Sequence, residues 1–201
     1  MMQHEITSAA PLLDARGNLR EPGYAKRLLP IYRRSDIKAG KMRIKEWDYY
    51  LVTDGHIGIA LTIADNGYMG LDSVSFLNFD ERWQITKSPM RAFPMGKTGL
   101  PETSVLGASE IAASGYALAF YHEDGARRLS FHMDRFRGKD AIEGIITLTD
   151  EPDESLVIAT PFEKPGHFYY NQKINCLRAA GEVVFDGETR RFDPETATAV
   201  L

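Results

Sequence analysis

At 201 residues, 43% hydrophobic and 26% charged, the chain is long enough for one substantial core and is composed like a globular domain, which excludes the disordered and fibrous classes. A formal net charge of -4 excludes a phosphate-tracking nucleic-acid surface, and Arg33-Arg34, Arg127-Arg128 and Arg190-Arg191 read as isolated solvated pairs. The single cysteine, Cys176, excludes an internal disulfide and a cysteine-ligated zinc, and with no apolar run near the ~20 residues of a bilayer span the expected setting is reducing and cytoplasmic.

Residues 1–41 read as an irregular lead-in packing on the body of the protein. Pro11, Gly17, Pro22, Gly23 and Pro30 break every long helix and leave a turn or two around Tyr24–Leu29. From residue 42 to 201 the text becomes short alternating runs divided by turn signals, the pattern of an antiparallel sheet.

Three Asp-Gly pairs, at 54–55, 124–125 and 186–187, predict two-residue hairpin corners, where both central residues need φ > 0. Around the first, Val52 would face Ile57, Tyr50 Ile59, Asp48 Leu61 and Glu46 Ile63, with Leu51, Tyr49 and Trp47 lying over Gly58, Ala60 and Thr62. Around the second, Phe120 would face Leu129, Leu118 Phe131 and Tyr116 Met133, a wholly apolar face. Around the third, Val183 would face Arg190 and Glu182 would face Arg191. Further strands are expected at Met69–Phe79, Trp83–Lys87, Ile142–Thr149, Leu156–Thr160 and His167–Leu177. The reading is all-β: an antiparallel meander of about ten strands that must close or stack to hide its edges, here taken as a barrel. The proline- and glycine-rich stretch Ser88–Ser104 stands apart as a long loop, a candidate cover for one barrel mouth.

Several motifs carry no chemistry on inspection. Gly96-Lys97-Thr98 resembles the tail of a phosphate loop, but Arg91 holds the place of the required glycine. His132 and Asp134 share a strand face without a third ligand, so no metal and no cofactor is expected. Cys176 reads as a buried, inert thiol in a strand.

Two constellations remain. Glu46 and Asp48 fall on the aliphatic face of their hairpin, where burial raises a carboxyl pKa toward values useful in proton transfer; they are the catalytic candidates, against the alternative of a wet, open rim. In the His167 strand, His167, Tyr169, Asn171, Lys173 and Asn175 form a polar row that would line a cavity if turned inward, or an ordinary solvated face if turned outward. With Trp47 and Tyr49 they are the ligand-binding candidates.

The strings Lys45-Glu46-Trp47-Asp48-Tyr49-Tyr50, Ala60–Asn66 and Tyr169–Cys176, the lead-in Pro22–Lys26 and the ending Phe192–Thr196 resemble the DUF2804 family along essentially the whole chain. More distantly, the Tyr-Tyr strand followed by Gly181-x-Val183-x-Phe185-x-Gly187 resembles the AttH and carotenoid hydratase group of double lipocalin-like barrels. That resemblance implies a lipocalin-like barrel forming the N-terminal half of a double barrel, truncated near Leu201, with a missing C-terminal domain or second copy as partner. The function it implies is binding of a small hydrophobic molecule, with hydratase- or isomerase-type acid–base chemistry in the complete protein. A non-catalytic scaffold half and a carbohydrate-binding or -processing module are the alternatives.

Overall fold

Buried and exposed side chains alternate along the longer strands of the computed structural model, which describes residues 3–123 and 125–201. The lead-in contributes β1 (Ala10–Pro11), β2 (Gly23–Ala25) and β3 (Pro30–Ile31), then two single 3-10 turns at Arg34–Asp36 and Lys41–Arg43. A first meander follows: β4 (Glu46–Thr53), β5 (Ile57–Asp65), β6 (Met69–Asn78), β7 (Trp83–Lys87) and the short β8 (Met90–Ala92). A second comprises β9 (Gly107–Ala113), β10 (Tyr116–Glu123), β11 (Ala126–Arg137) and β12 (Asp140–Thr149). The chain ends with β13 (Leu156–Pro161), β14 (Phe168–Lys173), β15 (Leu177–Phe185), β16 (Glu188–Phe192) and β17 (Thr198–Val200).

Most of these strands build one large antiparallel sheet in the order β7-β6-β5-β4-β17-β15-β12-β11-β10-β9, with β8 added to β6 and β16 to β15. Among the described residues no ladder joins β7 to β9. The sheet folds on itself, so that the two meanders face each other across one core. Tyr50 of β4 meets Phe120 of β10 edge-on at 5.1 Å, and the Tyr116 hydroxyl of β10 donates to Asp72 of β6 at 2.9 Å. Val52, Ile59, Leu61, Ile63, Phe76, Leu129 and Ile146 are fully buried here, each contributing ~1.5–3 kcal/mol by leaving water. Among the described residues no helix is long and apolar enough to cross a membrane.

Registers follow the turn chemistry. In β10–β11 the pairs Phe120–Leu129, Leu118–Phe131 and Tyr116–Met133 stand as expected; the corner residue Asp124 itself lies outside the described residues. At the β15–β16 corner, Asp186 and Gly187 take φ of 60° and 74°, and Val183–Arg190 and Glu182–Arg191 pair. The Asp54-Gly55 corner differs. Its ladder pairs Val52 with Ile59, Tyr50 with Leu61, Asp48 with Ile63 and Glu46 with Asp65, two residues out from the expected register. Asp54 Oδ1 accepts the amides of His56 and Ile57 at 2.8 and 2.9 Å, which holds a wider loop in place of the two-residue corner. A slip of two preserves the faces, so Glu46 and Asp48 stay on the side of Tyr50 and Val52.

Three other expectations are corrected. The lead-in is not merely irregular: Gly23–Ala25 is a strand, antiparallel to β13 in a three-stranded sheet β14-β13-β2. A Cβ on Gly23 would lie 2.4 Å from the His4 carbonyl, so only glycine permits this approach. Ile6, Leu12, Leu13 and Ala25 bury themselves there against Val157 and Ala159, making a second small core.

The expected single strand His167–Leu177 is two, β14 and β15, in different sheets. The break falls at residues 174–176, where Ile174 is buried, exchanges both backbone hydrogen bonds with Leu201, and is followed by Cys176 at φ 64°. Cys176 is therefore exposed at a turn and not a buried strand thiol. Finally, β9 had no signal in the sequence, because Gly-Ala-Ser-Glu-Ile-Ala-Ala is nearly free of β-branched and aromatic residues.

Candidate functional site

β17 pairs only with Leu51–Thr53 of β4, so the first half of β4, Glu46–Tyr50, has a ladder partner on one side only. A cleft of about 600 Å³ opens along that free edge, between β4 and β14. Glu46, Trp47, Asp48 and Tyr49 line one wall, and His167, Tyr169, Asn171 and Lys173 line the other. Asn175 does not reach it, because the break after Lys173 carries residue 175 away into the turn. The end of the long loop, Leu100 to Ser104, covers part of the opening.

Alternation sorts the lining. On β14 the even positions Phe168 and Tyr170 pack on the second core, where Tyr170 stacks on Tyr32 at 6.2 Å and donates its hydroxyl to the Pro30 carbonyl at 2.9 Å. The odd position Tyr169 then lies across the cleft from Trp47, with ring centroids 6.2 Å apart. Trp47 and Tyr49 are partly exposed, on the opposite face of β4 from Glu46 and Asp48, so the cleft wraps the strand edge. Asn171 presents an enclosed Oδ1 with no hydrogen-bond partner among the described residues.

The two carboxylates have different surroundings. Glu46 accepts the Tyr32 hydroxyl on Oε1 and pairs with the Arg34 guanidinium through Oε2, which binds the lead-in to β4. Burial pushes the Tyr32 hydroxyl up to about 12. Asp48 takes a hydrogen bond from the buried Ser109 hydroxyl of β9 on Oδ2, while its Oδ1 forms none among the described residues. Burial pushes the Asp48 carboxyl above its ordinary range, against the opposing pull of Ser109 and Arg127.

Behind Asp48 stands Arg127, only 2% exposed. Its Nη1 donates to the Tyr50 hydroxyl at 3.3 Å, and its Nη2 lies 2.9 Å from Glu151 Oε2. Next to it, His122 Nδ1 donates to the Ser104 carbonyl, and burial, then Arg127, pushes its imidazole below the ordinary value. The reading of Arg34 and Arg127 as solvated surface is thus corrected. For Arg127 a signal existed: it shares strand parity with Leu129, Phe131 and Met133, and so had to fall on the apolar face.

Away from the cleft, His132 bonds Asp134 at 2.9 Å and Glu143 at 3.2 Å on an exposed face. Among the described residues no group of three His, Cys, Asp or Glu side chains is placed to hold a metal. Gly96 and Thr98 spend their amides on the buried Asp65 Oδ2, at 2.7 and 3.5 Å, which anchors the long loop and leaves no phosphate cradle.

Compared with known proteins, residues 3–201 match the model of a family described as Domain of unknown function (DUF2804). No curated protein and no solved structure matches the chain.

Proposed function

The chain belongs to the DUF2804 family, and on that premise we propose that it binds a small, largely apolar molecule in the cleft between β4 and β14, with Asp48 as the group that can hand it a proton. The observation that carries this reading is a cleft of about 600 Å³ whose rim joins aromatic side chains to a buried carboxyl. Trp47 and Tyr169 supply flat apolar surface for the body of the ligand. Asn171 Oδ1 supplies an acceptor that a ligand hydroxyl would satisfy. Two meanders facing across one core suit a flattened lipocalin-like barrel, and that is the architecture taken here.

Hydratase- or isomerase-type chemistry enters through Asp48. A carboxyl whose pKa burial raises is a better proton donor to an alkene carbon near neutral pH than an exposed one, and the carboxylate left behind takes a proton back, from an attacking water or from the neighbouring carbon. Arg127, close enough to act on the Asp48 charge, steadies the carboxylate between the two steps. The aromatic pair lies on the other face of β4, so it holds the molecule by its body while Asp48 works from across the strand edge.

The test uses Nile red, a neutral lipophilic dye, with Trp83→Phe leaving Trp47 as the only tryptophan. Saturable binding with energy transfer from Trp47, weakened about tenfold by Tyr169→Ala and preserved in Asp48→Asn, is the expected result. Dye that fails to saturate, or a Tyr169→Ala variant that binds unchanged, overturns the reading.

A further inference from the structure

Beside the cleft lies a second recess of about 550 Å³, walled by three loops that the lead-in and the β13–β14 connection bring together. Arg16 comes from the first loop, Lys38 from the stretch between the 3-10 turns, Arg43 from the second of those turns, and Lys164 from the hairpin before β14. His167 closes the set, and among the described residues no acidic side chain lines the recess. None of these five side chains belongs to an ion pair among the described residues, whereas Arg34, Arg91 and Arg127, each largely shielded from solvent, all pair with a carboxylate. Gathering four cations around one recess with no carboxylate in its lining is unfavourable by itself, because each raises the potential felt by the others. On a chain whose net charge is -4, such a spot is a local inversion of the overall sign.

The backbone is arranged to create the recess. Gly17 takes φ 82°, and a Cβ there would lie 2.8 Å from the Lys38 side chain, so glycine lets the two basic loops approach. Asn18 Oδ1 accepts the Gly166 amide at 2.8 Å and fixes the third loop against the first. The recess is also continuous with the cleft: Ala39, Arg43, Gly166 and His167 line both.

We propose that this recess takes the anionic head, a carboxylate or a phosphate, of the molecule whose apolar body lies in the cleft. The inference rests on the cleft reading above and makes the ligand amphipathic: an apolar chain or ring system ending in a charge, held with its head at Arg43 and His167 and its body at Trp47 and Tyr169. The junction of the two spaces at Arg43, Gly166 and His167 carries it, since a cleft with an aromatic wall opening onto a recess lined by four cations and no carboxylate matches one molecule with an apolar body and an anionic head.

Displacement of Nile red by decanol, decanoate and decyl phosphate tests this, alongside calorimetry with inorganic phosphate alone. The two anions should displace the dye at about tenfold lower concentration than the alcohol, with the preference shrinking in high salt. Lys38→Gln/Lys164→Gln changes exposed residues that line only the recess, and should bring the anions to parity with the alcohol while leaving alcohol affinity unchanged. Equal displacement by all three in the unmodified protein overturns the recess proposal and leaves the cleft standing. Saturable heats with phosphate but no preference for decyl anions would mark a free-anion site and overturn the headgroup assignment. Dye that never binds removes the cleft reading and this one with it.

Discussion

Arg91 holds the fully buried Asp72 by two parallel bonds, Nε to Oδ2 at 2.7 Å and Nη2 to Oδ1 at 2.9 Å. The Tyr116 hydroxyl joins on Oδ2 at 2.9 Å, so one carboxylate links β6, β8 and β10. Burial, and then Asp72, pushes that hydroxyl up to about 12. Arg91 Nη1 goes on to Thr98 at 3.0 Å, in the loop whose far end covers the cleft. Arg91→Ala leaves a buried charge without its partner and should cost about 3–5 kcal/mol of unfolding free energy. Asp72→Asn/Arg91→Gln, which removes both charges, should cost less than the single change. Urea denaturation of the three proteins checks the order, and an Arg91→Ala loss within about 1 kcal/mol would reduce the pair to the weight of a surface contact.

The Asp48 carboxyl is raised by burial above its ordinary 3.8, so the folded chain keeps a proton that the unfolded chain releases. Stability then falls as pH climbs from near 3.8 through the higher folded value, and the full penalty stands above that window. Asp48→Asn has no such proton to lose. Its stability relative to the unmodified protein should rise across the same window and then level off, read from melting temperatures over a pH series. A difference that stays flat with pH would contradict the burial of Asp48.

Gly181 pairs with Ile146 across β12–β15 at φ 155°, and a Cβ there would lie 2.2 Å from the Ile145 carbonyl. Gly181→Ala should therefore destabilise by about 3 kcal/mol or more, through strain and a clash with backbone that cannot step aside. Gly55 has φ 91° but open space around it, so Gly55→Ala should cost only about 1 kcal/mol. Paired denaturation curves decide, and equal losses would mean the crowding at β12–β15 relaxes.

Much of this molecule was legible because a strand has period two. The face assignments of Tyr116–Phe120 and Leu129–Met133, and the ends of β7, followed from alternation and turn residues alone. Eight of the nine residues singled out for chemistry line one cleft, Asn175 being the exception. The errors have local causes. The break at residues 174–176 carries no glycine or proline, and Cys176 adopts φ 64° where nothing in its side chain announces it. Asp54 widened its corner through a side-chain bond that pattern counting does not see. The insertion of β17 between β4 and β15 joins segments far apart in the chain, and no local preference encodes it. Asp72 and Arg127 were legible in principle, as charges in step with Val74 and Phe76 and with Leu129 and Phe131. A charge on an apolar face is a stronger signal than a pair of adjacent arginines.

The walls that carry Trp47 and Tyr169 belong to separate sheets, with no ladder between them among the described residues. The width of the cleft is therefore set by side-chain contacts and chain crossings and not by a strand pairing. The chain itself crosses between the two sheets more than once, before β4, between β12 and β13, and at Ile174 to Cys176, where Leu201 pins Ile174 through both backbone hydrogen bonds. Side chains bridge the rest of the gap, Tyr32 and Arg34 reaching Glu46 and Ser104 reaching Gln172, so substitution at these contacts would alter the aperture before it altered either sheet.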